Sequence, residues 1–191
     1  MEKKKTASPN ILKLALVLLA VTAIVSLALG LVNSMTEGRI KELAKQKTAT
    51  AYANVLEADT YEEVAAGSYA NDDKTITKLS TAKDGSGNVT GYVAETTFSG
   101  AQGMITMVVG LDADKTCTGI YITKSSETSG LGAKASETTP GAWRDGLVGA
   151  ADGVALAKDG GTVEAISGAT ITSRACTNEV QTVITAVSSL G

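Results

Sequence analysis

The sequence predicts an α+β protein, with one N-terminal transmembrane helix followed by a domain of antiparallel sheet and flanking helices. Three observations carry this expectation. A 19-residue run without a charge, Leu14 to Val32, lies near the N-terminus. Four β-branched runs separated by turn signals occupy the middle of the chain. Close to the C-terminus, Val180, Val183, Ile184 and Val187 recur at helical spacing.

The apolar run, "LALVLLAVTAIVSLALGLV", would be about 29 Å long as a helix at roughly 1.5 Å per residue, which matches a hydrocarbon core of about 30 Å. A cleaved signal peptide usually has a shorter apolar region, and no A-x-A site closes this run, so an uncleaved anchor is expected. Lys3, Lys4, Lys5 and Lys13 lie before the span or at its edge, and Arg39, Lys41, Lys45 and Lys47 follow it. Positive charge therefore gives only a slight lean towards a cytoplasmic N-terminus. The expected organisation is a cytoplasmic N-terminus over 1–10, a membrane helix over 11–32, a linker and helix over 33–70, and a folded domain over 71–191. A length of 191 residues suits one membrane segment and one domain.

Within the linker, residues 36–57 read as a helix. Thr75–Ser80 is the first expected strand, and Asp84-Gly85 and Asn88 signal the turn after it. Val89–Phe98 and Met104–Leu111 follow, rich in β-branched residues. Asp112–Lys115 makes a hairpin loop, and Thr116–Thr123 returns. "DADKT" lacks the glycine and terminal glutamate of an EF-hand, so no metal site is expected there. Residues 124–162 read as irregular, and a stretch of that length inside a domain is usually functional or disordered. It contains the lone tryptophan, Trp143, read as packing.

Composition excludes several chemistries. The chain has no histidine, which removes Ser-His-Asp and Cys-His catalysis and most zinc sites. Without Glu2 and the four early lysines, 13 Lys and Arg face 19 Asp and Glu, a net charge of −6. An acidic domain without a basic stripe is a poor partner for nucleic acid. Cys117 and Cys176 have no C-x-x-C spacing; two buried thiols and one disulfide both stay open.

The segment "EAISGATITSRAC", Glu164 to Cys176, gathers small residues and hydroxyls at the entrance to the C-terminal helix, which must begin near Thr170–Thr172. Helix N-termini present unpaired N–H groups and a positive dipole end, an arrangement suited to phosphate. The hydroxyls of Ser167, Thr170, Thr172 and Ser173 are of the kind that bonds phosphate oxygens, and Gly168 and Ala169 leave room for close approach. On spacing alone, a capped helix start and an anion site are both open. A P-loop is excluded, because no G-x-x-x-x-G-K-[ST] is present.

"EAISGATITS" resembles the D-x-x-[ST]-G-A-T flavinylation motif of the FMN-binding domain family. "SSETSGLGAK", Ser125 to Lys134, resembles that family's H-x-E-T-P-G-L-G loop, and "TFSGAQGMITMVVGLDADKTCTGIYI" resembles the strands before it. With the N-terminal anchor, the likeness covers nearly the whole chain. It is greatest to the G-subunit family of Rnf electron-transport complexes, to which the C subunit of the sodium-pumping NADH:quinone reductase is related. The departures are Glu164 in place of the motif's Asp, and Ser125 and Ser129 in place of the loop's His and Pro.

The resemblance implies covalent FMN, joined through its phosphate to the hydroxyl of Thr170, with Ser167, Gly168, Ala169 and Thr172 around it. It also implies that Glu127, Thr128, Gly130, Leu131 and Gly132 pack beside the flavin ring. Attachment would need a separate flavin transferase, which displaces AMP from FAD. The implied role is that of a membrane-anchored electron relay in an ion-translocating ferredoxin:NAD⁺ oxidoreductase, partnered by other membrane subunits, with the flavin domain outside the cell membrane. No G-x-G-x-x-G and no iron–sulfur cysteine set is present, so the NAD and ferredoxin sites belong elsewhere. The alternative is a non-redox, outward-facing structural or small-ligand-sensing domain. A stand-alone hydrolase is disfavoured by the lack of histidine.

Overall fold

The structure, a computed structural model, describes residues 9–190. Lys3, Lys4 and Lys5 of the expected cytoplasmic N-terminus lie outside the described residues. The chain divides into two units, one ending at Gln46 and the other beginning at Lys47. Helix α1, Pro9–Val55, contains the expected membrane helix over 11–32 and runs on through the expected 36–57 helix, ending two residues short of its end. It is the one helix among the described residues long and apolar enough to cross a membrane. Its large apolar side chains are exposed through the span, as at Leu18 and Leu19. An apolar surface running all round a helix suits lipid and not water.

The second unit is built on a five-stranded antiparallel meander in sequence order: β1 (Thr60–Glu63), β2 (Ile76–Lys83), β3 (Val89–Ser99), β4 (Met104–Asp112) and β5 (Cys117–Lys124). Four of these strands were expected. The fifth, β1, is a short edge strand, "TYEE", mostly exposed, with too few apolar residues to show alternation. It pairs Thr60 with Lys83 and Glu63 with Ser80, and Glu62 and Glu63 form ion pairs with Lys83 and Lys78 on β2. The turn after β2 closes as expected: Asp84 Oδ1 accepts the N–H groups of Ser86 and Asn88, each at 2.9 Å. In the next hairpin, Asp112 Oδ1 accepts the Thr116 N–H at 2.8 Å, so this carboxylate serves the turn.

Both faces of the sheet are covered, which explains why "MITMVVGL" reads as a continuous apolar run. On one face Ile105, Met107, Val109 and Leu111 of β4 pack with Cys176, Val180, Val183, Ile184 and Val187 of helix α2, Thr170–Ser188. The expected apolar stripe is therefore the buried face of α2. On the other face, Val93 and Val108 meet Ala51, Tyr52 and Val55 from the last turns of α1. Two glycines paired across β4 and β5, Gly110 and Gly119, make that approach possible. A Cβ on Gly110 would stand 2.7 Å from the Val55 carbonyl oxygen. Thr118 Oγ1 donates to that same carbonyl, and Tyr52 donates to Glu95 Oε1 at 2.8 Å.

The long connection 125–169 contains three 3₁₀ turns, Gly132–Ser136, Trp143–Leu147 and Ala157–Asp159, and no longer element. Cys117 and Cys176 are free and buried. Burial pushes their thiols up to about 11 and about 12 respectively.

Glu179 is the anomaly of the core. It is 5% exposed, and its Oε1 has no hydrogen-bond partner among the described residues. Burial raises its pKa; the Thr75 hydroxyl opposes that shift and the charge of Asp73 adds to it. A carboxyl whose folded pKa lies above its unfolded value stabilises fully only below the unfolded value, and that contribution is lost as pH rises through the folded one. Glu179→Gln should therefore be more stable than the parent at pH 7, with the gap closing as pH falls towards about 4. Urea midpoints measured across that range check this.

Candidate functional site

The segment before α2 turns sharply. Ile166 to Ala169 form a β-turn closed by Ala169 N–H to Ile166 C=O at 2.9 Å, with Gly168 in the left-handed region at φ 76°. Helix α2 begins at Thr170, as the sequence reading expects. Its N-cap is Ala169, which has no hydroxyl, and no side chain caps it; Ser173 works from inside the helix instead. Its Oγ accepts the Ile166 N–H at 2.9 Å and donates to the Ala169 carbonyl at 3.0 Å.

The four hydroxyls of the segment thus divide. At about 100° per residue, Thr170 and Thr172 point to nearly opposite sides of the helix. Thr172 and Ser173 are fully buried. Thr170 is half-buried, while Ser167 and Gly168 are exposed. Ala169, between them, is buried. Upstream, the Trp143 indole donates to the Glu164 carbonyl at 2.6 Å, so the lone tryptophan anchors the segment that leads into the turn.

The Ser125–Lys134 loop meets the same helix end. Thr172 Oγ1 donates to Glu127 Oε2 at 2.6 Å. The other carboxylate oxygen, Oε1, accepts the backbone N–H of Gln102, in the β3–β4 hairpin, at 3.0 Å. Glycines make room for this carboxylate on two sides. A Cβ on Gly100 would lie 2.4 Å from Oε1, and one on Gly132 would lie 2.4 Å from Oε2 and 2.7 Å from Thr172 Oγ1. Gly130 takes a left-handed turn at φ 77°, and the Thr128 carbonyl accepts the N–H groups of Leu131 and Ala133 at 3.1 and 3.2 Å. Leu131 is 43% exposed, yet its Cδ2 lies only 3.0 Å from where a Gly168 Cβ would stand.

The structure therefore brings Glu127, Gly132 and Thr172 together inside, and Leu131 and Gly168 together at the surface. Thr128 and Gly130 shape the loop from its exposed side. Glu127 turns its carboxylate into the protein. One turn further along α2, Arg174 grips Asp159 with two bonds of 2.6 and 2.9 Å, and the guanidinium holds the Asp159 carboxyl below its usual range. Three contributors escaped the sequence reading: Gly100, the Gln102 amide, and Ile171, which is 63% exposed beside Thr170. Gly100 had a signal, since "SGAQG" interrupts a strand pair; the amide of Gln102 had none.

Known proteins share this sequence and its domain. The family model of the FMN-binding domain matches residues 100–185. The G subunit of the ion-translocating oxidoreductase complex of Methanosarcina acetivorans is 36% identical over 186 residues, covering 95% of this chain and 96% of that protein. The G subunit of the Na(+)-translocating ferredoxin:NAD(+) oxidoreductase complex of Acetobacterium woodii is 34% identical, covering 89% of this chain and 88% of that protein. The G subunit of the ion-translocating oxidoreductase complex of Escherichia coli (strain K12) is 32% identical over 161 residues, 78% of each chain. Of the two readings left open by the sequence, these matches favour the flavoprotein.

Gly168 offers a direct check on the turn. An alanine there must hold a left-handed backbone and press on Leu131, so Gly168→Ala should lose about 1–2 kcal/mol of stability. A lower urea midpoint with an unchanged slope would show it.

Proposed function

We propose, for a chain that belongs to the G-subunit family of ion-translocating oxidoreductase complexes and carries an FMN-binding domain, that electrons are relayed through FMN tethered covalently to Thr170. The observation that carries the attachment is the position of that hydroxyl. It opens α2 on the outer side of the helix, beside the exposed turn at Gly168, while the neighbouring Thr172 and Ser173 are buried and bonded within the protein. The residues present fit a phosphoester. The first amides of a helix have no intrahelical acceptor and favour a negative group, and the exposed turn at Ser167 and Gly168 leaves the approach to Thr170 free of bulky side chains of its own.

In the proposed attachment the Thr170 oxygen bonds to the phosphorus of the FMN half of FAD. The bond from that phosphorus to the bridging oxygen would break, AMP would leave carrying that oxygen, and the threonine proton would pass to a base of the separate transferase. Tethered FMN supplies the reversible electron uptake that the side chains of this chain lack. Ser167 lies in the turn just before the attachment point, and exposed Leu131 and Ile171 offer apolar surface near it. By analogy with the Acetobacterium relative, whose name specifies ferredoxin and NAD(+), the donor and acceptor sites would lie on other membrane subunits of the complex.

Thr170→Val should give a folded chain with no flavin after denaturation, whereas Ser167→Ala should keep it. In-gel fluorescence and intact mass of protein made with a flavin transferase decide this; covalent flavin on Thr170→Val would reject the assignment.

The reading also includes topology, with the N-terminus cytoplasmic and the FMN domain outside. Ser86 lies in an exposed turn of the domain. Ser86→Cys should react with a membrane-impermeant thiol reagent on intact cells, while buried Cys117 and Cys176 stay silent. Labelling that appears only after lysis would place the domain in the cytoplasm.

A further inference from the structure

We propose that Glu127 and Thr172 form a clasp that positions Thr170 for flavin attachment; this rests on the reading of Thr170 given above. Three separated segments converge on one carboxylate. The α2 helix reaches Oε2 through the Thr172 hydroxyl at 2.6 Å, and the β3–β4 hairpin reaches Oε1 through the Gln102 amide at 3.0 Å. The third segment is the loop that carries Glu127 itself, turned back by the Glu127 N–H donating to Ser125 Oγ at 3.2 Å. Hydrogen bonds to an ionised acceptor are about twice as strong as neutral ones. A Cβ at Gly100 or Gly132 would overlap the carboxylate oxygens where they stand and push them out of this position.

The clasp acts through geometry. Thr172 is two residues beyond Thr170 on the opposite side of the same helical turn. The stripe buried along α2 sets the phase of the helix, and holding Thr172 inward secures its first turn against fraying, and with it the outward direction of Thr170. Closing the loop also lays Leu131 against Gly168, which sets one wall beside the reacting hydroxyl. Glu127 is thus a positioning residue whose carboxylate is engaged within the protein, and a well-oriented nucleophile is where such a contact has the largest kinetic effect.

The test uses the full chain in detergent, with two measurements. The first is amide exchange at Leu131, Ala133 and Lys134, whose N–H groups close the loop. Thr172→Val, which removes only a hydroxyl, and Glu127→Ala should each speed exchange by at least about tenfold, equivalent to about 1.4 kcal/mol. The double variant should be no faster than Glu127→Ala alone, because that variant already lacks the contact that Thr172→Val removes. The second is the time course of covalent flavin incorporation from FAD by a purified transferase. It should slow by about tenfold or more in both variants and recover to within about twofold in Thr172→Ser, which keeps the donor. Unchanged exchange, effects that add in the double variant, or attachment at the parent rate in a chain whose loop has opened would each overturn the clasp. If the unaltered chain takes up no flavin while the exchange results hold, it is the reading of Thr170 that fails, and the positioning role falls with it.

Discussion

The carboxylate of Glu127 is the constraint on which the site depends. The 125–169 connection has only short 3₁₀ turns; buried side chains such as Leu147, Leu156 and Ile166 anchor its later part, and side-chain bonds hold its start in place. A single acceptor group bonded to a helix hydroxyl and a hairpin amide does this with few residues. It also explains an otherwise odd local composition. "SGAQG", "ETSGLG" and "SGAT" are three glycine-containing stretches, far apart in sequence, and in each of them a glycine lies where a side chain would overlap or press on a neighbouring stretch. At Gly100 and Gly132 glycine answers close packing around the Glu127 carboxylate, and at Gly168 the approach of Leu131, as much as the demands of turns.

The same logic recurs on the far side of the sheet. There the last turns of α1 meet β4 and β5 over Gly110 and Gly119, and Thr118 bonds the final carbonyl of the helix. A helix end leaves its last carbonyls without intrahelical partners, and here a strand hydroxyl satisfies one of them. Tyr52 and Tyr61 pack edge to face with centroids 4.9 Å apart, and Tyr61 donates to the Leu56 carbonyl at 2.6 Å. The sheet is thus a middle layer, with α2 and the proposed attachment turn on one face and the end of α1 on the other.

Elements with strong periodicity were legible from sequence. The stripe of α2 and the β-branched runs of β2 to β5 report their own burial, because side-chain period follows backbone geometry. β1 was not legible, since four residues with two exposed glutamates carry no pattern; its ladder to β2 supplies what its side chains do not. At the site, the start of α2 was legible from Gly168 and the stripe that follows. The division of labour among hydroxyls was not. Thr170 and Thr172 look alike in sequence, and only the phase of the helix relative to the core separates an outward hydroxyl from an inward one. The role of Glu127 was hidden for a related reason: its partners lie 25 and 45 residues away, and the motif resemblance pointed it towards the flavin ring and not towards Thr172.

That outward position of Thr170 bears on why a covalent bond would be used at all. Sites that hold small molecules without a covalent bond typically bury most of the ligand's surface in a concave cavity. Here Ser167, Gly168 and Ile171 are exposed and Thr170 is half-exposed, so the surroundings of the hydroxyl contribute little burial of their own. On the proposed reading, the phosphoester supplies the retention that burial does not. The ring is then left at a surface from which a neighbouring subunit can exchange electrons with it. What the protein must still provide is direction, because a tether on a frayed helix end would leave the cofactor without a preferred approach. Securing the first turn of α2 is therefore the main structural task of this end of the domain, and the buried Thr172 and Ser173 hydroxyls are arranged to perform it.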